Sequence, residues 1–191
     1  MAVARKPPMM LLAITLLAGG VCACSSYQPS PRTLGQAAPQ PYRLDSGDRV
    51  RVTVFEQAGL SNSYSVDQAG YIAVPLIGQV AARGQTLPQL EGAIAARLKQ
   101  GYVRDPDVTI EIDRYRPVFV MGEVGRPGQY AYVPGMTAQN AVAIAGGYTP
   151  RGNQRDVDIT RKINDRIITG RTPSSVPVLA GDTIYVRERF F

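Results

Sequence analysis

Cys22 and Cys24 are the only thiols of this 191-residue chain, and it contains no histidine. Ser-His-Asp and Cys-His catalysis therefore lack their base, and a His-ligated metal site lacks its ligands. Fifteen acidic residues leave a carboxylate-pair hydrolase chemically conceivable. Their spacing singles out no pair, and carboxylates in turns and strands are ordinarily solvated. The expectation is a protein that is not an enzyme, with no catalytic residue, no cofactor and no metal. What remains for the cysteines is covalent modification, and that depends on the segment that carries them.

That segment begins with Arg5 and Lys6, continues as the apolar run Met9 to Ala18, and passes through the small residues Gly19 to Ala23 into Cys24. A short positive start, a short apolar run and small residues before a cut are the build of a secretory signal peptide. The run falls well short of the ~20 residues needed to span a bilayer. Val21 and Ala23, third and first before Cys24, resemble a bacterial lipobox, which implies cleavage between Ala23 and Cys24 and a lipid on Cys24. Cys22 is the rival acceptor, but Val21 would then stand at the cut, where a small residue is wanted. With Cys24 acylated no free thiol remains, so disulfides contribute nothing in an oxidising compartment. Ser25 after the lipidated cysteine resembles lipoproteins sent on to the outer membrane. The net charge of +6 is spread along the chain. A nucleic-acid partner is thereby disfavoured, whereas an anionic surface or polymer is suited.

The remainder divides into a linker and two units. Residues 25–41 are polar, with Pro29, Pro31, Pro39 and Pro41. They read as a tether that could hold a folded body up to about 50 Å from the lipid, or as an arm that packs on a neighbour. After the turn residues Leu44 to Asp48, Val50, Val52 and Val54 alternate with Arg49, Arg51 and Thr53, as in a half-buried strand. A second strand region, Tyr64 to Val74, is interrupted near Gly70, and Leu76 to Val80 follows Pro75. Thr86 and Gln89 make a capping box with Pro88 in the first turn, and Leu87, Leu90, Ile94 and Leu98 give one apolar helix face before Gly101. Val108, Ile110 and Ile112 form another strand. The second unit starts near Pro117 with a strand at Val118 and Val120, a turn at Gly125 to Gly128, and alternation at Tyr130 and Tyr132. Thr137 caps a short helix that Gly146-Gly147 ends. Strands follow at Val157–Ile159, at Ile167-Ile168 and at Ile184–Val186. Gly47-Asp48 and Gly181-Asp182 read as the same turn-into-strand device near each end. The fold class is α+β: two small strand-rich domains, each with one helix on a sheet.

In this order the motifs resemble the outer-membrane polysaccharide export lipoproteins of capsule and exopolysaccharide translocons. Tyr42-Arg43-Leu44 with Gly47-Asp48, Val66-Asp67 with Gly70, Pro75-Leu76 with Gly78, and Gly84 to Leu90 resemble the family's export domain. Gly122-Glu123-Val124 with Arg126-Pro127-Gly128, and Ala145-Gly146-Gly147, resemble a soluble-ligand-binding β-grasp (SLBB) domain. The close, Gly181-Asp182-Thr183-Ile184-Tyr185-Val186 and Arg189-Phe190-Phe191, is similar to that of short members. The implied organisation is a signal peptide at 1–23, Cys24 and its tether to 41, an export domain at 42–115 and a β-grasp domain at 116–191. The glycines and prolines read as architecture rather than as a binding site.

The resemblance implies a ring-shaped homo-oligomer enclosing a periplasmic channel for a polysaccharide, docked below on an inner-membrane copolymerase and held to the outer membrane of a Gram-negative bacterium by its acyl chain. Long members end in a membrane-crossing helix, whereas here Phe191 follows directly on a strand. Counting back by twos from Phe191 puts Arg189 and Arg187 on a lipid-facing side, at ~2–4 kcal/mol each near the midplane, so a barrel strand is not expected. The final passage would then fall to a separate outer-membrane β-barrel protein or a membrane defect. Sugar faces stack on aromatic rings, which makes Tyr71, Tyr130, Tyr132 and Tyr148 candidate polymer contacts, although strand tyrosines more often pack. Arg49 and Arg51 could meet an acidic polymer or simply be solvated. The competing reading is a monomeric glycan-binding periplasmic lipoprotein.

Overall fold

A computed structural model describes residues 41–163 and 166–189. The signal segment, Cys24, the tether as far as residue 40 and the terminal Phe190 and Phe191 lie outside the described residues.

In the first unit β1 (Arg49–Val54) lies between β2 (Asn62–Ser65) and β5 (Val108–Arg114), antiparallel to both. Alternation alone decides which side is covered: Val50, Val52 and Val54 are buried, and Arg49, Arg51 and Thr53 face water. The hairpin of β3 (Tyr71–Val74) and β4 (Gly78–Ala81) supplies Ile72, Val74 and Val80 to the same core. Helix α1 (Leu87–Leu98) closes it with Leu90, Ile94 and Leu98, all fully buried, while Gln89 Oε1 accepts the Thr86 N–H at 2.9 Å. The strand region expected from Tyr64 to Val74 is interrupted at Gly70 as its sequence indicates: β2 and β3 are separated by a turn in which Gly70 has φ 92°. In the Leu76 to Val80 stretch, β4 begins at Gly78. Pro75 breaks the ladder, and Leu76 turns the chain with φ 68° and an exposed side chain.

The second unit is a mixed five-stranded sheet ordered β7-β6-β10-β8-β9. Its strands are β6 (Val118–Gly122), β7 (Gly128–Tyr130), β8 (Asp156–Ile163), β9 (Arg166–Pro173) and β10 (Thr183–Val186). Two antiparallel hairpins, β6–β7 and β8–β9, flank β10, which runs parallel to β6 and antiparallel to β8. Helix α2 (Ala138–Ile144), capped by Thr137 and Asn140 reciprocally, buries Ala138, Ala141 and Val142 on one face of this sheet with Val118, Val120, Ile159 and Ile184. A single helix held by a mixed sheet with a central parallel pair is the β-grasp arrangement expected. One detail differs: Gly128 is paired with Val120 inside β7, and the strand ends at Tyr130, short of Tyr132.

Candidate functional site

The repeated Gly-Asp phrase is one structural device used twice. Asp48 N–H donates to Asp45 O and Asp182 N–H to Leu179 O, each at 3.1 Å, closing turns in which Gly47 and Gly181 have φ of 92° and 87°. Such angles at the third turn position suit glycine. Each aspartate then bonds back to the start of its own turn: Asp48 Oδ2 accepts Asp45 N–H at 2.8 Å, and Asp182 Oδ2 accepts Leu179 N–H at 2.7 Å. Both carboxylates are buried and each holds an arginine. Asp182 takes Arg161 through Nε and Nη2 at 2.9 and 2.7 Å, a two-pronged pair inside the second core. Asp48 takes Arg116, the first residue past the first unit, through Nη1 at 2.9 Å and the backbone N–H at 2.8 Å.

Arg116 joins the two devices. Its Nε donates to Ala180 O at 3.0 Å, inside the second turn, while its Nη1 holds the first. A Cβ on Gly181 would stand 2.8 Å from Arg116 Nε, so this glycine is required for close approach as well as for its φ. The guanidinium also lies 5.6 Å from the centre of the Tyr42 ring. Tyr42, Tyr115 and Tyr132 make two edge-to-face contacts, at 5.0 and 5.4 Å, running from the first unit through its last residue, Tyr115, to the second. Tyr42 OH donates to Asp48 Oδ1 at 2.7 Å. Burial, followed by this bond to a carboxylate, raises the Tyr42 pKa well above its ordinary value. Burial and then the neighbouring Tyr115 raise that of Tyr132. The arrangement is a joint: it fixes an angle between two domains and presents no reacting group.

The second motif cluster is also brought together by backbone. Gly125 N–H donates to Gly147 O at 2.9 Å and Arg126 N–H to Ala145 O at 2.7 Å, so the Gly122–Gly128 loop is sewn onto the end of α2. Gly146 and Gly147 have positive φ there. Gly122 has φ 88°, and a Cβ on it would fall 2.1 Å from Val186 O, inside the β6–β10 pair. Pro75 and Gly78 bracket the β3–β4 tip, where Ile77 N–H donates to Pro75 O.

The proposed polymer contacts are scattered. Tyr130 is half-buried with its hydroxyl on Arg126 O, Tyr132 belongs to the joint, and the Tyr148 hydroxyl is buried with no hydrogen-bond partner among the described residues. Tyr71 is 38% exposed on β3. Arg49 and Arg51 share Asp113 at 3.2 and 2.9 Å on the outer face of the first sheet. A polar cavity of about 440 Å³ is lined by Gly152, Asn153, Gln154, Arg155 and Arg189. Among the described residues no three Cys, Asp or Glu side chains gather as a metal site, and no helix is long and apolar enough to cross a membrane. Ala23 and Cys24 lie outside the described residues. Arg116 and Arg161 escaped the sequence reading, although the twice-used Gly-Asp turn was a signal that each aspartate needs a partner.

Residues 36–113 match the family described as "Polysaccharide biosynthesis/export protein", and residues 117–177 match the SLBB domain. The exopolysaccharide production protein ExoF of Rhizobium meliloti is 33% identical over 118 residues, which is 56% of this chain and 28% of that protein. The polysialic acid transport protein KpsD of Escherichia coli is 28% identical over 159 residues, 78% of this chain and again 28% of that protein. The chain thus spans little more than a quarter of the length of these relatives.

Proposed function

The chain belongs to the polysaccharide biosynthesis/export protein family, and from that premise we propose that it is a non-enzymatic, envelope-associated subunit of a polysaccharide export conduit. Lipid on Cys24 anchors it to the outer membrane facing the periplasm. Copies assemble into a ring around the polymer, above an inner-membrane copolymerase, and a separate outer-membrane barrel completes the passage. The observation that carries this reading is the ordered pair of matches, an export domain at 36–113 followed by an SLBB domain at 117–177. A chain without histidine, in which the buried aspartates of both Gly-Asp turns are paired with arginines, suits a part that is built to hold a shape. Export by a conduit requires a polar passage and a defined subunit geometry rather than a general acid or base.

Deletion of the gene, with polysaccharide quantified separately outside the cell and in the periplasm, tests the proposal. External polymer collapses, wild-type chain restores it, and Cys24→Ser, which takes up no labelled fatty acid, does not. Crosslinking of the membrane-held protein yields multiples of the chain. Unchanged external polymer in the deletion strain refutes the export role, and a saturable glycan site in a protein that stays monomeric supports the monomeric binder in its place.

A further inference from the structure

The face of the second sheet opposite α2 has no covering element among the described residues. The register puts Phe119 beside Thr183, Met121 beside Tyr185, and Tyr185 beside Asp158. These neighbours stand about 4.8 Å apart on a single surface. Phe119, Met121 and Tyr185 are 40%, 45% and 45% exposed. Contiguous apolar side chains left in water mark a contact surface more often than chance exposure.

Directly next to them, Asp158 is largely buried and accepts Arg171 Nε at 3.3 Å and Arg187 Nε at 2.5 Å. Both arginines spend only Nε on this carboxylate. Their side chains are 54% and 47% exposed, and their terminal nitrogens have no partner among the described residues. Asp158 therefore positions two forks of unused donors at the rim of an aromatic platform, with one net positive charge. Guanidinium forks match carboxylates in two-pronged geometry.

Resting on the export reading above, we propose that this open sheet face is a glycan-contact platform that takes an acidic polysaccharide. The rings of Phe119 and Tyr185 lie against the C–H faces of sugars, while Arg171 and Arg187 hold uronate-type carboxylates. An apolar centre with arginines at its rim also occurs in protein–protein contacts; the unspent guanidinium donors favour an occupant that carries carboxylates. The outer face of the first sheet is a useful contrast. It too gathers two arginines, Arg49 and Arg51, on one aspartate, but Arg51 spends a terminal nitrogen there, and its cross-strand neighbours are Ser63 and Glu111 rather than aromatic side chains.

Affinity electrophoresis of the full-length chain in detergent, through gels containing polygalacturonate or neutral hydroxyethyl cellulose, tests the assignment. Polygalacturonate retards the protein and hydroxyethyl cellulose does not. Phe119→Ala/Tyr185→Ala and Arg171→Gln/Arg187→Gln each weaken retardation about tenfold with circular dichroism unchanged. Equal retardation by both polymers, or unchanged retardation in both variants, overturns the platform. So does a shift in self-association on sedimentation with retardation intact. The deletion strain separates the two readings. If export depends on the protein but neither variant alters retardation, the platform alone falls. If the variants lose retardation but deletion leaves export untouched, the conduit falls and the platform stands.

Discussion

Replacing Asp48 by alanine tests whether the joint between the domains is ionic in substance as well as in appearance. The Asp48 side chain is fully buried and accepts four hydrogen bonds, from Tyr42 OH, Asp45 N–H, Arg116 N–H and Arg116 Nη1. Alanine leaves all four donors facing a void. Removing one partner of a buried ion pair costs roughly 3–5 kcal/mol. Here Arg116 keeps 22% of its side-chain surface in water and can be rehydrated, so the lower part of that range, about 3–4 kcal/mol, is expected. For a folded body of this size that is a drop of roughly 6–16 °C in Tm. Asparagine does not rescue, because either amide orientation turns its NH2 toward two of the same donors. The assay is urea and thermal unfolding followed by near-ultraviolet circular dichroism of the tyrosines, with Arg49→Ala as the control. Arg49 is 45% exposed, and loss of such a surface pair costs under about 1 kcal/mol. Because Asp48 belongs to the first domain and Arg116 also holds the second turn, the variant separates one cooperative transition into two. A loss below about 1 kcal/mol for Asp48→Ala, or a single unchanged transition, would refute the reasoning.

The buried pair inside the second domain behaves as a coupled unit: Arg161→Met alone costs about 3–5 kcal/mol, and a double-mutant cycle with Asp182→Asn shows the pair losing much less than the sum of the singles. Gly122→Ala is incompatible with the β6–β10 pairing, since its Cβ would meet Val186 O at 2.1 Å. Gly78→Ala, with φ 70° but open space around it, costs only about 1–2 kcal/mol; expression and melting of the two variants side by side check the contrast. Alkali is the relevant pH stress. Tyr42 has a folded-state pKa raised above the ordinary 10.0 by burial and the Asp48 bond, so its contribution is fully present below pH 10 and is lost as pH rises beyond it. Stability measured across that window falls for the wild type and falls less steeply for Tyr42→Phe.

What was legible in the sequence was what is decided within a few residues. The valines of β1 declare their face because the side-chain period of a strand is two, and α1 declares both its start and its apolar side through Thr86, Pro88, Gln89 and the leucines. The two Gly-Asp turns were visible for the same reason, since glycine at a positive φ and an aspartate bonding back across its turn are local chemistry. Their meaning was hidden because Arg116 is 68 residues from Asp48 and Arg161 is 21 from Asp182. Nothing in a chain's local pattern says which cation will complete a buried carboxylate. The parallel β6–β10 pair is hidden likewise, and with it the meeting of Phe119, Met121 and Tyr185. Of the four tyrosines chosen because sugar faces stack on aromatic rings, Tyr130, Tyr132 and Tyr148 are partly buried against the second core, and Tyr71 stays open at 38% exposure. The aromatic surface that stays open is defined by register, and register across non-adjacent strands is a tertiary property.

A joint of charges, rather than of leucines, calls for a physical reason. An apolar contact of the same volume would be at least as stable, since desolvating Asp48 and Arg116 consumes much of what their attraction returns. Ion pairs differ from apolar contacts in direction. Arg116 satisfies Asp48 with one nitrogen and Ala180 O with another, and only a narrow range of interdomain angles allows both. Methyl groups would accept many. On the conduit reading this is the property that matters, because a ring closes only if every subunit subtends the same angle, and a small error repeats at each interface. Arg116→Met therefore separates stability from assembly. It removes the two guanidinium bonds, to Asp48 Oδ2 and to Ala180 O, while Tyr42 OH, Asp45 N–H and the backbone N–H of residue 116 still hold Asp48, so the domains keep their own cores while the angle between them broadens. Small-angle scattering of the variant shows that broadening, and crosslinked multiples in the membrane fall even at temperatures where both domains remain folded. If multiples form normally with Arg116→Met, the angle is set elsewhere and the joint serves stability alone.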